Sequence, residues 1–322
     1  MANCIVTGGL GYVGSTLTAR LAGRGDRVTV VDDHSLGRPE NLALAGVTGV
    51  EVVAADIRDT DRMRGLLEEH QPDVLYHLAA IHFIPACERE PTRAVSVNTA
   101  GTQSLLDAWS AVRPPGPIVF ASTAAVYAPS ETPHDERAQL RPTDIYGLSK
   151  LWMEQAAELF HQRTGVPVGI ARLFNVVGPG ETNPHLVPAI IEQARDGNTL
   201  KLGNLTTRRD YIDVDDIARG LIALGEAAPS CDYLICNLGA ERPASGEEIV
   251  ELLAELLGRD LVVDIDPARL RASDRPVLAS DCARAHDAIR WRAEIPLRQA
   301  LARQLGGPIP ALDSPAIEQK AA

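Results

Sequence analysis

Residues 7–15 read TGGLGYVGS and overlap the end of the apolar run CIVTG, residues 4–8. Gly8, Gly11 and Gly14 recur every third residue, with Tyr12 and Val13 between the last two, and a helical pattern follows. Glycine lets the backbone turn sharply and lets another group come close. The stretch therefore reads as a strand-to-helix turn whose free amides and helix dipole face an anion such as a pyrophosphate. Such a turn alone is a weak signal, and its context strengthens it. The second strand, RVTVVDD, ends in Asp32, about 20 residues on, where a carboxylate accepts hydrogen bonds from adenosine ribose hydroxyls. That carboxylate would repel a 2′-phosphate, and Asp33 follows it rather than an arginine. NAD is the dinucleotide these residues favour over NADP.

Working outward, short β-branched runs alternate with amphipathic stretches: CIVTG, RVTVVD, VEVVAAD, VLYHLAA, PIVFAS and VPVGIARL. This predicts an α/β fold, a Rossmann-type doubly wound parallel sheet covered on both faces. The third strand runs into ADIRD, which sets Asp56 and Ile57 at the adenine edge and face. Beyond Gly178 the alternation becomes irregular, with a helix near 186–195, a strand at CDYLICNLG and a helix over 246–258. The expected division is a dinucleotide-binding domain over 1–175 with a returning segment near 206–228. A smaller mixed α/β lobe takes 176–205 and 229–307, and the Pro- and Ala-rich tail 308–322 is expected to be poorly ordered.

The chain has 322 residues, 45% apolar content and a formal charge of −12 without a basic block. Nucleic acid and anionic membrane surfaces are poor partners for such a surface. The five cysteines are scattered, with no zinc spacing, so no metal site is signalled. No apolar run approaches the ~20 residues of a membrane span. The expectation is a cytoplasmic protein.

The segment DIYGLSK, 144–150, sets Tyr146 and Lys150 four apart at the start of a predicted helix, on one face. A free phenol titrates near pH ~10; an adjacent ammonium and a positive nicotinamide both favour its anion, which makes a general base. Lys150 can also hold the nicotinamide ribose. Thr123, in FASTAAVY, supplies a hydroxyl for the substrate oxygen that becomes a carbonyl.

Gly8, Gly11, Gly14, Asp32, Asp56, the run HLAA, Asn98, Thr123, Tyr146 and Lys150 together resemble the extended short-chain dehydrogenase/reductase family. Within it, the sequence is similar to the nucleotide-sugar epimerases and dehydratases from residue 3 to about 300. The resemblance implies cofactor contacts at Leu78, Ala79, Ala80, His82 and Ser122. Asn98 matches an asparagine of the cofactor site that mainly braces backbone, and His77 is expected to pack near the cofactor. The second lobe is implied to bind a nucleoside-diphosphate sugar through Asn175, His185, Leu186, Arg209, Arg271 and Asp274. Arg208 and Arg275 read as solvated loop arginines. The phrases GNLTTRRDYI and RASDRPVLASD look closest to relatives that handle GDP-sugars, with UDP, CDP and dTDP left open.

Family 4,6-dehydratases carry an Asp-Glu or Ser-Glu pair directly after the catalytic threonine, where this chain has Ala124-Ala125. Methyl groups transfer no protons. The expected activity is therefore epimerisation, at C4, through a transient 4-keto sugar and tightly bound NAD. The alternatives are a dehydratase or 4-ketoreductase of the same family, or a noncatalytic NAD sensor, which the retained Tyr-Lys pair disfavours. A homodimer through the helices near 99–113 and 146–162 is a family expectation; the pattern alone fits burial within one subunit equally.

Overall fold

The computed structural model describes residues 1–114, 116–181, 183–269 and 275–306. In chain order the first six strands are β1 (Asn3–Thr7), β2 (Arg27–Asp32), β3 (Glu51–Ala54), β4 (Val74–His77), β5 (Ile118–Thr123) and β6 (Val168–Leu173). They are followed by β7 (Asn175–Val177), β8 (Thr199–Leu202), β9 (Arg208–Asp213) and β10 (Tyr233–Leu238). The last three are β11 (Pro243–Ser245), β12 (Val262–Ile265) and β13 (Val277–Leu278).

Seven strands form one parallel sheet in the order β10-β6-β5-β4-β1-β2-β3. The chain first winds outward from β1 to β3, then returns to β4 on the other side of β1. Strand order reverses between β1 and β4, and a crevice opens there at the strand carboxyl ends, the usual ligand site of such sheets. All of β5 is buried, as a strand covered on both faces must be. Along β1 the side chains alternate between two cores. Cys4 and Val6 pack with the helices Tyr12–Gly23 and Val214–Cys231, while Ile5 packs with Leu66, Trp109, Met153 and Phe160 on the opposite face.

The smaller unit centres on β9, which pairs antiparallel with β11 and parallel with β13 and β7; β8 and β12 form a separate parallel pair. Helices Leu186–Asp196, Gly246–Leu257 and Leu297–Gln304 bury Val187, Ile190, Ile249, Leu253 and Leu301 against these strands. Ser245 and Glu248 close a reciprocal capping box at the start of the second of these helices.

The strand at 231–239 forms, yet β10 joins the large sheet, pairing with β6 from Tyr233–Val168 to Leu238–Leu173. The lobe boundary expected at residue 229 is thus corrected: the lobe's strands resume only after β10. Conversely, β9 lies inside the returning segment but belongs to the small sheet. Local pattern identifies a buried strand; which sheet edge it joins is decided by the chain's route. The tail 308–322 lies outside the described residues.

Helix Ile145–Thr164 starts on Asp144, whose carboxylate accepts from Gly147 N at 2.8 Å, and ends on Gly165 at φ +71°. Met153, Ala157 and Phe160 are buried, whereas Trp152 and Leu159 on the other side are 41% and 50% exposed. The chain itself thus covers one side of this helix. Leu105, Leu106 and Trp109 of helix Gly101–Val112 all enter the core.

Candidate active site

The glycine turn is a fitted cradle. Gly8 has φ +71°, and a Cβ there would lie 2.6 Å from Ala79 N. A Cβ on Gly14 would meet the Gly8 carbonyl oxygen and lie 2.8 Å from Gly9 Cα. Loop 8–14 therefore rests on Leu78 and Ala79, just beyond β4. Gly11 caps the following helix without any side-chain hydrogen bond, so no side chain occupies its first amides. Val13 is half-buried on that first turn. Tyr12 packs toward Gly178 and Gly180, its hydroxyl buried without a hydrogen-bond partner among the described residues.

At the end of β2, Asp32 is buried and accepts from Leu10 N at 3.1 Å and His34 N at 2.9 Å. Burial raises its pKa, and those two amides oppose the rise. Asp33 is exposed and accepts from Ser35 N. Asp56 is gripped by Arg58, whose Nε lies 2.9–3.0 Å from both carboxylate oxygens, and this contact holds the acid below its usual range. Arg58 was not anticipated. Ile57 turns its side chain into the core, next to Gly101, so only its backbone is left to meet an adenine.

At the crevice wall, Asn98 sits in a π-helical turn, Ser96–Ala100, a feature that often marks functional sites. Its amide accepts from Ile81 N at 2.8 Å and donates to Ile81 O and Ser149 Oγ, each at 2.9 Å. It is a backbone brace, as the resemblance implied. His77 is held between Thr7 at 2.8 Å and Thr102 at 3.0 Å, and burial pushes its pKa down to about 3. His82 falls to about 4 for the same reason and meets Asn183 Nδ2 at 2.9 Å. Both rings are neutral at physiological pH. Asn183 is another residue that sequence reasoning missed.

Ser122 and Thr123 end β5 beside the start of helix Ile145–Thr164. The Thr123 hydroxyl lies beside the Tyr146 phenol, and Thr123 Oγ1 accepts from Ala125 N at 3.1 Å. Burial drives the Tyr146 pKa well up, and the neighbouring Thr123 hydroxyl opposes the rise. Lys150 Nζ donates to Ala121 O at 2.8 Å, and burial pushes its pKa down to about 8. The phenol's neighbour is thus the Thr123 hydroxyl, while the ammonium is held by backbone of the same strand.

From the smaller unit, Asn175 opens β7 and Leu186 opens its helix, both half-buried. His185 packs edge-on against Phe83 at 5.4 Å, bringing it to the loop that carries His82. Arg209 donates to the carbonyls of Arg208 and Arg275 at 2.9 and 2.8 Å. Arg271 and Asp274 lie outside the described residues. The two arginines read as solvated are both engaged. Arg208 pairs with Glu248 at 3.1 Å, and Arg275 donates to Ala125 O and Thr143 Oγ1, each at 3.1 Å. Arg275 thereby ties the smaller unit to the segments flanking Thr123 and Tyr146. Nothing local in the sequence distinguishes such a contact from a loop arginine in water.

The model of the NAD dependent epimerase/dehydratase family matches residues 4–239, most of the chain. The chain belongs to that family. Among its relatives, the UDP-glucose 4-epimerase of Streptomyces lividans is 32% identical over 306 residues, covering 89% of this chain and 90% of that one. The GDP-6-deoxy-D-mannose reductase of Pseudomonas aeruginosa is 31% identical over 76% of this chain and 83% of its own length. A solved structure of UDP-glucose-4-epimerase from Stenotrophomonas maltophila, with bound NAD and formylated UDP-arabinopyranose, superposes with TM-score 0.88 at 27% identity, covering 95% and 97% of the two chains. That from Brucella ovis, in complex with NAD, gives 0.87 at 29%, covering 95% and 98%. The Rossmann-type reading holds for this epimerase/dehydratase family member, and its glycine cradle and buried Asp32 suit the dinucleotide on which the family depends.

Proposed function

We propose that this chain is an NAD-dependent epimerase that inverts C4 of a nucleoside-diphosphate sugar, with Thr123, Tyr146 and Lys150 as its catalytic residues. The observation that carries the reading is the Thr123 hydroxyl set beside the Tyr146 phenol at the sheet's carboxyl edge, with two alanines after Thr123 that offer no acid or base for eliminating water.

NAD, when bound, accepts a hydride from the sugar carbon and returns it. The chain's own residues handle the proton and the geometry. Tyr146 Oη takes the proton of the C4 hydroxyl and gives it back to the ketone oxygen once the sugar has turned over. Thr123 holds that oxygen through both halves, and its hydroxyl beside Tyr146 favours the phenolate. Lys150, buried and cationic, adds positive potential in a site of low dielectric. Asp32 accepts from the adenosine ribose. Asn175, His185, Leu186, Arg209, Arg271 and Asp274 take the nucleotide-sugar; guanidinium forks suit its diphosphate.

The names of the similar proteins favour a UDP-sugar. The reductase relative supports a second reading, reduction of a 4-keto GDP-sugar. The exposed Trp152 and Leu159 of helix Ile145–Thr164 support a homodimer packed on that face, and the cytoplasm suits a chain without a long apolar helix among its described residues. The test incubates the protein, without added cofactor, with UDP-, GDP-, CDP- and dTDP-sugars deuterated at C4, read by NMR. An epimer that keeps its deuterium at C4 supports the proposal. Absence of any epimer, or consumption only of a keto-sugar with added NADH or NADPH, refutes it.

A further inference from the structure

Three side chains at successive turns of helix Ile145–Thr164 face three consecutive residues of β5. Tyr146 lies beside Thr123, Lys150 donates to Ala121 O at 2.8 Å, and Glu154 accepts from Ser122 Oγ at 2.5 Å. The i, i+4, i+8 spacing keeps them on one helix face. The proposed reaction uses the first two and leaves Glu154 without a task.

Glu154 is not idle structurally. Its side chain is 4% exposed and is held by Arg172 of β6, itself 2% exposed, through Nε at 3.0 Å and a terminal nitrogen at 2.7 Å. The other terminal nitrogen of Arg172 donates to Tyr127 Oη at 3.0 Å and Glu136 O at 3.1 Å. Such a pair is often no better for stability than apolar side chains of the same volume, so its presence calls for another reason. Lys150 supplies one. It lies among the Cys87 thiol, the neutral rings of His77 and His82 and the Met153 sulfur; Glu154, one helical turn on, is the carboxylate in this set. The chain has 31 basic residues of which only three are lysines: Lys150, Lys201 and Lys320. A group that can titrate has been kept at 150, where arginine could not serve.

We propose that Glu154 is a positioning residue for the catalytic pair: anchored by Arg172 and bonded to Ser122, it keeps Lys150 an ammonium and keeps the helix in register with Thr123. This rests on the epimerase reading only for its role in turnover. Burial already pulls the Lys150 pKa to about 8, and Glu154 opposes that pull. Without the carboxylate, Lys150 loses its proton at lower pH. E154Q leaves Arg172 positive nearby and shifts it further than E154Q/R172M, which removes both charges.

The full-length protein, labelled with 15N at the lysine side chains, gives three resonances, and K150R identifies that of Lys150. Its titration midpoint is expected to fall by about one pH unit in E154Q and by less in E154Q/R172M. Where turnover is found, the alkaline limb of kcat moves with it while KM stays unchanged. An unaltered Lys150 midpoint in either folded variant overturns the proposal. The double variant, which leaves no unpaired buried charge, carries the test should E154Q fail to fold. Because the lysine titration needs no substrate, failure of the epimerase assay remains a separate result.

Discussion

The hydroxyl of Thr123, at the end of β5, lies beside the phenol of Tyr146, in the first turn of the helix that covers that strand. The two are 23 positions apart in the chain, yet they meet at the carboxyl edge of the sheet. Replacing Tyr146 by Phe removes the base and is expected to lower turnover by about 10²–10⁴-fold, leaving NAD retention unchanged. T123V keeps the base but loses the hydroxyl that opposes its high pKa. Its acidic limb of kcat should move to higher pH, which a pH–rate profile reads directly.

Asp32→Ala removes a buried acceptor already ordered by two backbone amides. NAD affinity should fall by about 10–100-fold, the loss of one charge-assisted hydrogen bond at about 1.5–3 kcal/mol. NADP should lose little, since the repulsion of its phosphate goes too. Isothermal titration with both cofactors measures the contrast.

Gly14→Ala places a methyl group against the Gly8 carbonyl and Gly9 Cα. Both are backbone and cannot swing aside. The turn must open, and the variant should purify without NAD, seen as a lowered ratio of absorbance at 260 to 280 nm, while far-ultraviolet circular dichroism stays close to that of the parent.

Arg172→Met strands the Glu154 carboxylate in the core. The expected loss is about 3–5 kcal/mol, whereas E154Q/R172M should recover most of it because neither charge remains. Urea unfolding of the single and double variants decides the point; equal stabilities would show that the pair is not energetically coupled.

Asp213 bridges the two sheets' halves: it caps helix Val214–Cys231 through Asp215 N, and it pairs with Arg303 at 2.8 Å. Burial nevertheless raises its pKa from 3.8 to about 6. The folded state thus binds this proton more tightly than the unfolded one. Folding carries the cost of burying the charge above pH ~6, and the cost disappears as pH falls toward ~4, a swing of about 3 kcal/mol. Relative to D213N, the parent should gain stability by roughly that amount between pH 7 and pH 4. Denaturant midpoints at the two pH values give the comparison.

Some of this was legible in the chain itself. The glycine spacing, Asp32 at the end of the second strand and the Tyr146–Lys150 interval are local patterns, and local backbone geometry and helix periodicity suffice to interpret them. They determined a doubly wound sheet, a dinucleotide crevice and a phenol with an ammonium on one helix face. Tertiary structure decided the rest. It sent β10 to the edge of the large sheet, gave the phenol to Thr123 and the ammonium to Ala121 O, and turned Ile57 inward. It also brought Arg275 to Ala125 and locked Arg172 onto Glu154. The reason is physical: a sequence pattern reports which face of an element is apolar, but a hydrogen bond or ion pair between distant residues exists only once two elements have chosen each other and excluded water.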